Sequence, residues 1–404
     1  MPPVLVQLPW APAPLNPHPG ETPDEQQLNK RAFTDAVLPF LDAVASWNVP
    51  AGGKHEQRPG ISFRIKASCP SDRVPDRYGI LRRRYKRWDR SVLEILQDSS
   101  HKIPLLPAIS EFLCGNELYS RKLSPKTCCD IAAQMLNVHT LDWNLSDNER
   151  SDLALRIQRR QDFALGLQRI PSSVRHFTLY HGPRAPDTHT WDPHRLESGN
   201  QDSPDPLSVA LRSLSQRLYS LTIDNATVSP EVFWPVSPSS SPLPGPDKAG
   251  GFPHLEKVTV RLNEVTPAGE WFFTGHHPPA SEEVGDSDDS DIIIKPDSHS
   301  WFRCKLDQKV ADPYFLAAAR AAQHMPRLKE FFLEWMATPL PCGLEYKISN
   351  HEGPRAVLTL WGSPPVEPSL ELAEAWEKVT ETLLGSPDLM RIERQDEGRV
   401  FEPI

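Results

Sequence analysis

The sequence predicts an α/β fold, an irregular leucine-rich-repeat-like solenoid with parallel strands on one face and helices on the other. Two observations carry this. The first is a recurring spacing: apolar, two residues, apolar, one residue, apolar. It returns at Ile109, Phe112, Cys114; Val138, Leu141, Trp143; Val174, Phe177, Leu179; Leu218, Leu221, Ile223; Leu255, Val258, Val260; and Leu328, Phe331, Leu333. The second is that amphipathic helical stripes lie between these segments, so that helix, loop and strand alternate. Successive triplets start about 29 to 44 residues apart and the last gap is about two such periods, at or beyond the upper end of ordinary leucine-rich repeats. A strand reached from its neighbour through a helix runs parallel to it by a right-handed crossover, and such units stack so that each covers the next.

In chain order, Phe33, Val37, Phe40, Leu41 and Val44 fall at helical spacing from about Leu28 to Trp47, with Pro39 as a kink or break. Ile61, Phe63, Ile65 and Ala67 then alternate with Ser62, Arg64 and Lys66, the period of a half-buried strand. Ser124 and Pro125 form a cap and first-turn pair ahead of Cys128, Ile131, Ala132, Met135 and Leu136. Asp205 and Pro206 precede Leu207, Ala210, Leu211 and Leu214 in the same way, and Asp312 and Pro313 precede Phe315, Ala319 and Ala322. Near the end, Glu345 to Ile348 and Ala356 to Leu360 read as paired strands around Asn350, His351, Glu352 and Gly353. Leu372, Trp376, Val379 and Leu383 read as a closing helix that seals the last apolar face. The repeat domain so defined covers 28–384, with exposed insertions at about 237–251 and 274–300 that are too polar to pack. Residues 1–27 read as a disordered Pro-rich start and 385–404 as a tail.

Composition narrows the function. The chain has 43 prolines in 404 residues, which implies long irregular connections, and a formal charge of −9, with a pI near 5.9. That balance argues against nucleic-acid phosphate or an anionic membrane as the main partner. The six cysteines are scattered and read as reduced thiols. Prolines 9, 12, 14, 17 and 19 break the apolar run at the start, so neither a signal segment nor a spanning helix is expected there, and the cytoplasm or nucleus is the expected location. No phosphate-binding Gly-rich loop, nucleophile elbow, paired-cysteine zinc spacing or His-Glu-x-x-His is present, so no catalytic residue, cofactor or metal is expected.

Several short features remain. His176, His181, His189 and His194, with Asp187 and Asp192, contain metal-ligand residue types, but most lie in a Pro-rich connection and read as ordinary surface histidines. Cys128 and Cys129 are adjacent on a helix and point apart, with Cys128 acting as a small core residue. The basic run Arg82, Arg83, Arg84, Lys86 and Arg87 is a candidate nuclear import signal, set against a solvated helix face. Ile292, Ile293 and Ile294 after an acidic run are similar to a SUMO-interaction motif, which adds a strand to a sheet edge; the plainer reading is a docking strand leaving a loop. Trp143, Tyr180, Trp335 and Trp361 sit at or past strand ends and are candidate partner-binding residues, since large aromatics dominate binding hot spots; core packing is the competing reading.

The passages Leu105, Leu106, Pro107, Ala108, Ile109; Ala318 through Met325, Pro326, Arg327, Leu328; and Gly353, Pro354 to Trp361 resemble a large family of uncharacterised filamentous-fungal proteins over roughly Leu28 to Leu384. That resemblance implies a leucine-rich-repeat-like domain of unknown function behind an F-box. The F-box itself is expected to be absent here, because a ladder of prolines follows Leu8 and Pro9 where its helices would stand. The expectation is therefore a non-catalytic protein-protein interaction module, a substrate-recognition region without its F-box, binding a protein of unstated identity. An enzyme with a dispersed site and a decayed member of an expanded family are the alternatives.

Overall fold

The computed structural model describes residues 4–5, 21–47, 60–67, 92–96, 102–115, 121–149, 151–182, 189–196, 204–235, 251–275, 302–336, 341–349, 353–362 and 366–395. They are mixed α/β with a largely parallel sheet. The chain divides into two compact units, Met1–Gly182 with Pro206–Asp224, and Pro183–Asp205 with Asn225–Ile404.

Unit 1 begins with β1 (Val4–Leu5), a short strand within the stretch read from sequence as disordered. Helix α1 (Pro23–Ala45) follows, then β2 (Ile61–Ile65) and β3 (Ile109–Cys114). Next come α2 (Pro125–Ala132), β4 (Thr140–Ser146), α3 (Leu153–Leu167), β5 (His176–Gly182), α4 (Pro206–Ser215) and β6 (Ser220–Ala226). Each strand pairs parallel with the next through β6, and α2, α3 and α4 pack side by side.

Helix α1 starts earlier than its apolar stripe because a capping box sets the start. Thr22 Oγ1 accepts from the Glu25 N–H at 3.2 Å and the Glu25 carboxylate accepts from the Thr22 N–H at 2.9 Å. The helix also runs through Pro39 instead of breaking there. Proline removes one backbone donor, and the buried Phe33, Val37, Leu41 and Val44 hold the helix on both sides of it.

The recurring spacing has a local geometric cause. Every triplet residue is buried. The first of each closes a turn: the N–H groups of Ile109, Val138, Val174, Leu218, Leu255 and Leu328 donate to the carbonyls of Leu106, Met135, Pro171, Ser215, Phe252 and Met325, at 3.0 to 3.3 Å. The following residue then reaches to the preceding repeat. His139 N–H donates to Ser110 O, Arg175 N–H to His139 O and Tyr219 N–H to Arg175 O in unit 1, and Lys329 N–H to Glu256 O in unit 2. The second and third residues point to the helices, in register: Phe63, Phe112, Leu141, Phe177 and Leu221 form one ladder, and Ile65, Cys114, Trp143, Leu179 and Ile223 the next. Phe63, Phe112, Trp143 and Phe177 join in an aromatic line with ring centroids 5.5 to 6.0 Å apart, each pair adding about 0.5–1.5 kcal/mol beyond burial.

Unit 2 repeats the pattern once and then changes it. The strand β7 (Lys257–Leu262) pairs parallel with β10 (Glu330–Trp335), setting Val258 beside Phe331 and Val260 beside Leu333. Between them lie β8 (Phe273–Thr274) and β9 (Lys305–Leu306), an antiparallel ribbon that pins both ends of the acidic insertion, and α5 (Gln308–Ala322). Asp307 caps α5 by accepting from the Lys309 N–H, so the helix starts before the Asp312 and Pro313 pair that the sequence suggested. The expected terminal hairpin is present as β11 (Cys342–Ser349) and β12 (Arg355–Trp361), antiparallel, and α6 (Leu370–Leu384) buries Leu372, Trp376 and Val379 before the left-handed cap Gly385 (φ +84°). The stretch read as a tail contains one more strand, β13 (Met390–Gln395), parallel to β12. It lies at the sheet edge with Arg391, Ile392 and Arg394 exposed, so only Met390 and Ile392 are apolar and the alternation stops after them.

Candidate functional site

Alternation along each strand of unit 1 leaves every second side chain on the face away from the helices. Register aligns these in rows. Glu111, Thr140, His176 and Ser220 lie across four strands, as do Leu113, Asp142, Thr178 and Thr222, with Arg64 of β2 beside Leu113; Asn144, Tyr180 and Asp224 form a third row. All are half-buried or exposed, none fully buried. His176 Nδ1 and Ser220 Oγ lie 2.8 Å apart, joining neighbouring strands. Burial pushes the Asp142 carboxyl up against the opposing pull of Arg64, and burial together with nearby His139 holds the His176 ring below its usual range. The face thus offers hydroxyl, amide and imidazole groups interspersed with Arg64, Glu111, Asp142 and Asp224.

Its border is shaped by Gly115, which ends β3 with φ +71°, where a Cβ would run into the Asn144 carbonyl. That close approach lets Lys122 donate both to the Gly115 carbonyl at 3.3 Å and to Asn144 Oδ1. Burial lowers the Lys122 ammonium to about 8.

A charged network lies where β4 ends. Arg156 grips Asp147 with two hydrogen bonds, Nε to Oδ1 at 2.6 Å and Nη2 to Oδ2 at 3.0 Å, and also donates to Glu149, while Arg160 Nη1 donates to Asp147 Oδ2 at 2.8 Å. These side chains are 5% exposed or less. Burial alone would raise the Asp147 carboxyl, but the charges of Arg156 and Arg160 and the hydrogen bonds from Arg156 hold it well below the usual carboxylate range. Two carboxylates face the Arg156 and Arg160 guanidinium groups, and the cluster locks the β4–α3 loop. It also explains why α3 escaped the apolar pattern: its buried face carries Arg156 and Arg160 four residues apart.

Next to this network, the start of α2, residues 94–96 and Arg159 line a cleft of about 280 Å³, with Lys126, Glu94 and Asp162 of mixed sign. In unit 2 the helix-free positions are closed off instead. Arg261 pairs with Glu334 at 3.2 Å and stacks 5.5 Å from the Phe332 ring, and Phe332 lies 5.3 Å from Trp361.

The aromatic candidates divide accordingly. Trp143, Trp335 and Trp361 are fully buried and belong to the core, not to a docking surface. Trp143 and Trp335 point to the helices, packing against Phe163 and Phe315, and Trp361 lies over Gly343, where any side chain would collide with it. Tyr180 alone stays half-buried on the helix-free face. His181 and His189 are also buried rather than on the surface, each 2% exposed. His189 accepts from the Arg303 N–H through Nδ1 at 2.9 Å, which ties two segments of unit 2 together, and its Nε2 lies 3.5 Å from the Glu264 carboxylate. Among the described residues no cluster of three His, Cys, Asp or Glu could hold a metal ion. Cys128 is buried, as read from its stripe. The basic run from Arg82 to Arg87 and Ile292, Ile293 and Ile294 lie outside the described residues. No described helix is long and apolar enough to cross a membrane. Compared with protein-family models, with curated proteins and with solved structures, the chain matches none of them.

Proposed function

We propose that this chain is a non-catalytic protein-recognition module, an irregular leucine-rich-repeat-like right-handed solenoid that meets a protein partner through the helix-free strand face of unit 1. The observation that carries this is the set of in-register, half-exposed polar rows across β3 to β6. Strand faces of repeat arrays provide broad surfaces on which short polar side chains can be varied without disturbing the core. The shared i to i−3 turn and the repeat-to-repeat hydrogen bonds support the solenoid reading. The resemblance to F-box-associated fungal proteins supports a role in substrate recognition, within the cytoplasm or nucleus.

The test uses the full chain and a Thr178→Arg, Thr222→Arg variant, whose two sites are adjacent in register. The variant should keep its unfolding midpoint and lose at least tenfold in affinity for a protein that the native chain captures reproducibly. A Gln158→Arg control on the exposed side of α3 should bind as the native chain does. Equal retention by all three would reject this face as the binding surface.

A further inference from the structure

We infer that Cys114 and Cys128 form an oxidative modification site, a buried dithiol that two-electron oxidants of the peroxide or diazene class convert to a reversible disulfide joining the end of β3 to the first turns of α2. Their Sγ atoms lie 3.5 Å apart, in contact on the helix-covered face, and both residues are 0% exposed. A disulfide needs about 2.05 Å between sulfurs, so closure asks for a movement of about 1.5 Å. The pair is bracketed by fixed points. Gly115 holds the end of β3 against Asn144, and the Ser124 hydroxyl caps α2 by accepting from the Thr127 N–H at 3.1 Å. Cys129 is not a competitor, because its sulfur packs against Gly166 of α3, where even a Cβ would collide with it.

The two sulfurs differ in surroundings. Lys122 donates to the carbonyl of Gly115, the residue after Cys114, and interacts electrostatically with Cys114. Burial pushes the Cys128 thiol up, so it keeps its proton. Cys114, the sulfur with the cation beside it, attacks first. It gives up its proton and takes one oxygen of the peroxide; the O–O bond breaks and the leaving hydroxide or alkoxide takes that proton, so a sulfenic acid forms and water or an alcohol is released. The Cys128 sulfur then displaces hydroxide from the Cys114 sulfur, and the Cys128 proton leaves with that hydroxide as water. Two thiols are oxidised and one peroxide is reduced; with a diazene, one thiol adds across the N=N bond, and the second thiol then displaces the nitrogen from that sulfur and gives it its proton, so that one diazene is reduced to a hydrazine. No other reactant is consumed, and a dithiol reductant reverses the change. Since α2 also lines the 280 Å³ cleft, the staple would fix one wall of it.

The experiment treats the full chain with hydrogen peroxide or diamide, alkylates it after unfolding and maps its peptides. The number of free thiols among the six cysteines should fall by two and recover with dithiothreitol. The tryptic peptide Ile103–Arg121 should be cross-linked to Thr127–Arg150, with fragment ions placing the bond at Cys128. The oxidised chain should unfold several degrees higher, since the bridge closes a loop in the unfolded chain. Cys129→Ser should keep the cross-link and Cys128→Ser should abolish it. If Cys128→Ser does not fold, the peptide map of the native chain decides alone. Six thiols that stay free, a bond through Cys129, or irreversible oxidation of Cys114 without a bond would each overturn the inference.

Discussion

In unit 1 the side chains turned away from the helices stay half-buried or exposed: Thr140, Thr178, Ser220 and Thr222 recur beside His176 and Tyr180, with Arg64, Glu111, Asp142 and Asp224 among them. In unit 2 the corresponding rows are charged or packed shut. Lys257, Glu330 and Lys347 alternate in sign across three strands, and Arg261, Glu334, Phe332 and Trp361 close over Gly343. Yet both units bury the same triplet behind the same hydrogen-bonded turn. Helix packing constrains only one side of each strand, so the other side is free to become a binding surface or a second layer of core. A repeat signature therefore says where the core is and leaves open which repeats face a partner.

The largest expected effect lies at the β4–α3 loop of unit 1. Replacing Asp147 with Ala leaves Arg156 and Arg160 buried without their shared carboxylate, which should cost about 3–5 kcal/mol in denaturant unfolding. The same residue gives a pH signature. Its carboxyl is held below the ordinary value in the folded chain, so its contribution is present above the unfolded pKa near 4 and is lost as pH falls through the folded value. Stability of the native chain should decline on strong acidification, and Asp147→Asn should flatten that part of the curve.

Trp361 and Tyr180 look alike from sequence, and they separate the two faces directly. Trp361→Ala should destabilise by about 3–5 kcal/mol, as removal of a buried aromatic does. Tyr180→Ala should cost much less, about 1 kcal/mol, and should weaken partner binding instead. Thermal unfolding of both variants, with binding measured alongside, checks the contrast.

Two glycines of unit 2 sharpen it further. Gly343→Ala drives a methyl group into the Leu333 carbonyl and the Trp361 ring, and should cost about 1–3 kcal/mol. Gly353 has φ +98° but open space around its Cβ position, so Gly353→Ala should cost only about 1 kcal/mol, the strain of a left-handed backbone. Equal losses would mean that Trp361 can shift aside and that the closed face is not packed as described.

Smaller still, exchanging Ala280 to Asp289 for a short Gly/Ser linker should change stability by about 1 kcal/mol or less, because the β8–β9 ribbon already brings the ends together and closure cost grows only logarithmically with length. A midpoint drop beyond about 10 °C would show that the exchanged residues contribute to the core of unit 2. At the lower limit, Thr178→Ala should leave stability within about 0.5 kcal/mol.

The sequence by itself determined the core ladder, because the triplet spacing is a local consequence of a turn followed by a pleated strand, and no distant contact is needed to read it. It also located the Ser124 cap of α2, the terminal hairpin and the closing helix, each marked by neighbouring residues. Tertiary structure decided the rest. Helix α3 hid because Arg156 and Arg160 look like surface residues until Asp147 and Glu149 meet them, and β13 hid because an exposed edge strand needs no apolar alternation. The tryptophans were ambiguous for the same reason: strand position does not say whether a large ring is covered. The contact between Cys114 and Cys128, like the open rows of β3 to β6, exists only once register and helix placement fix which side chains share a face.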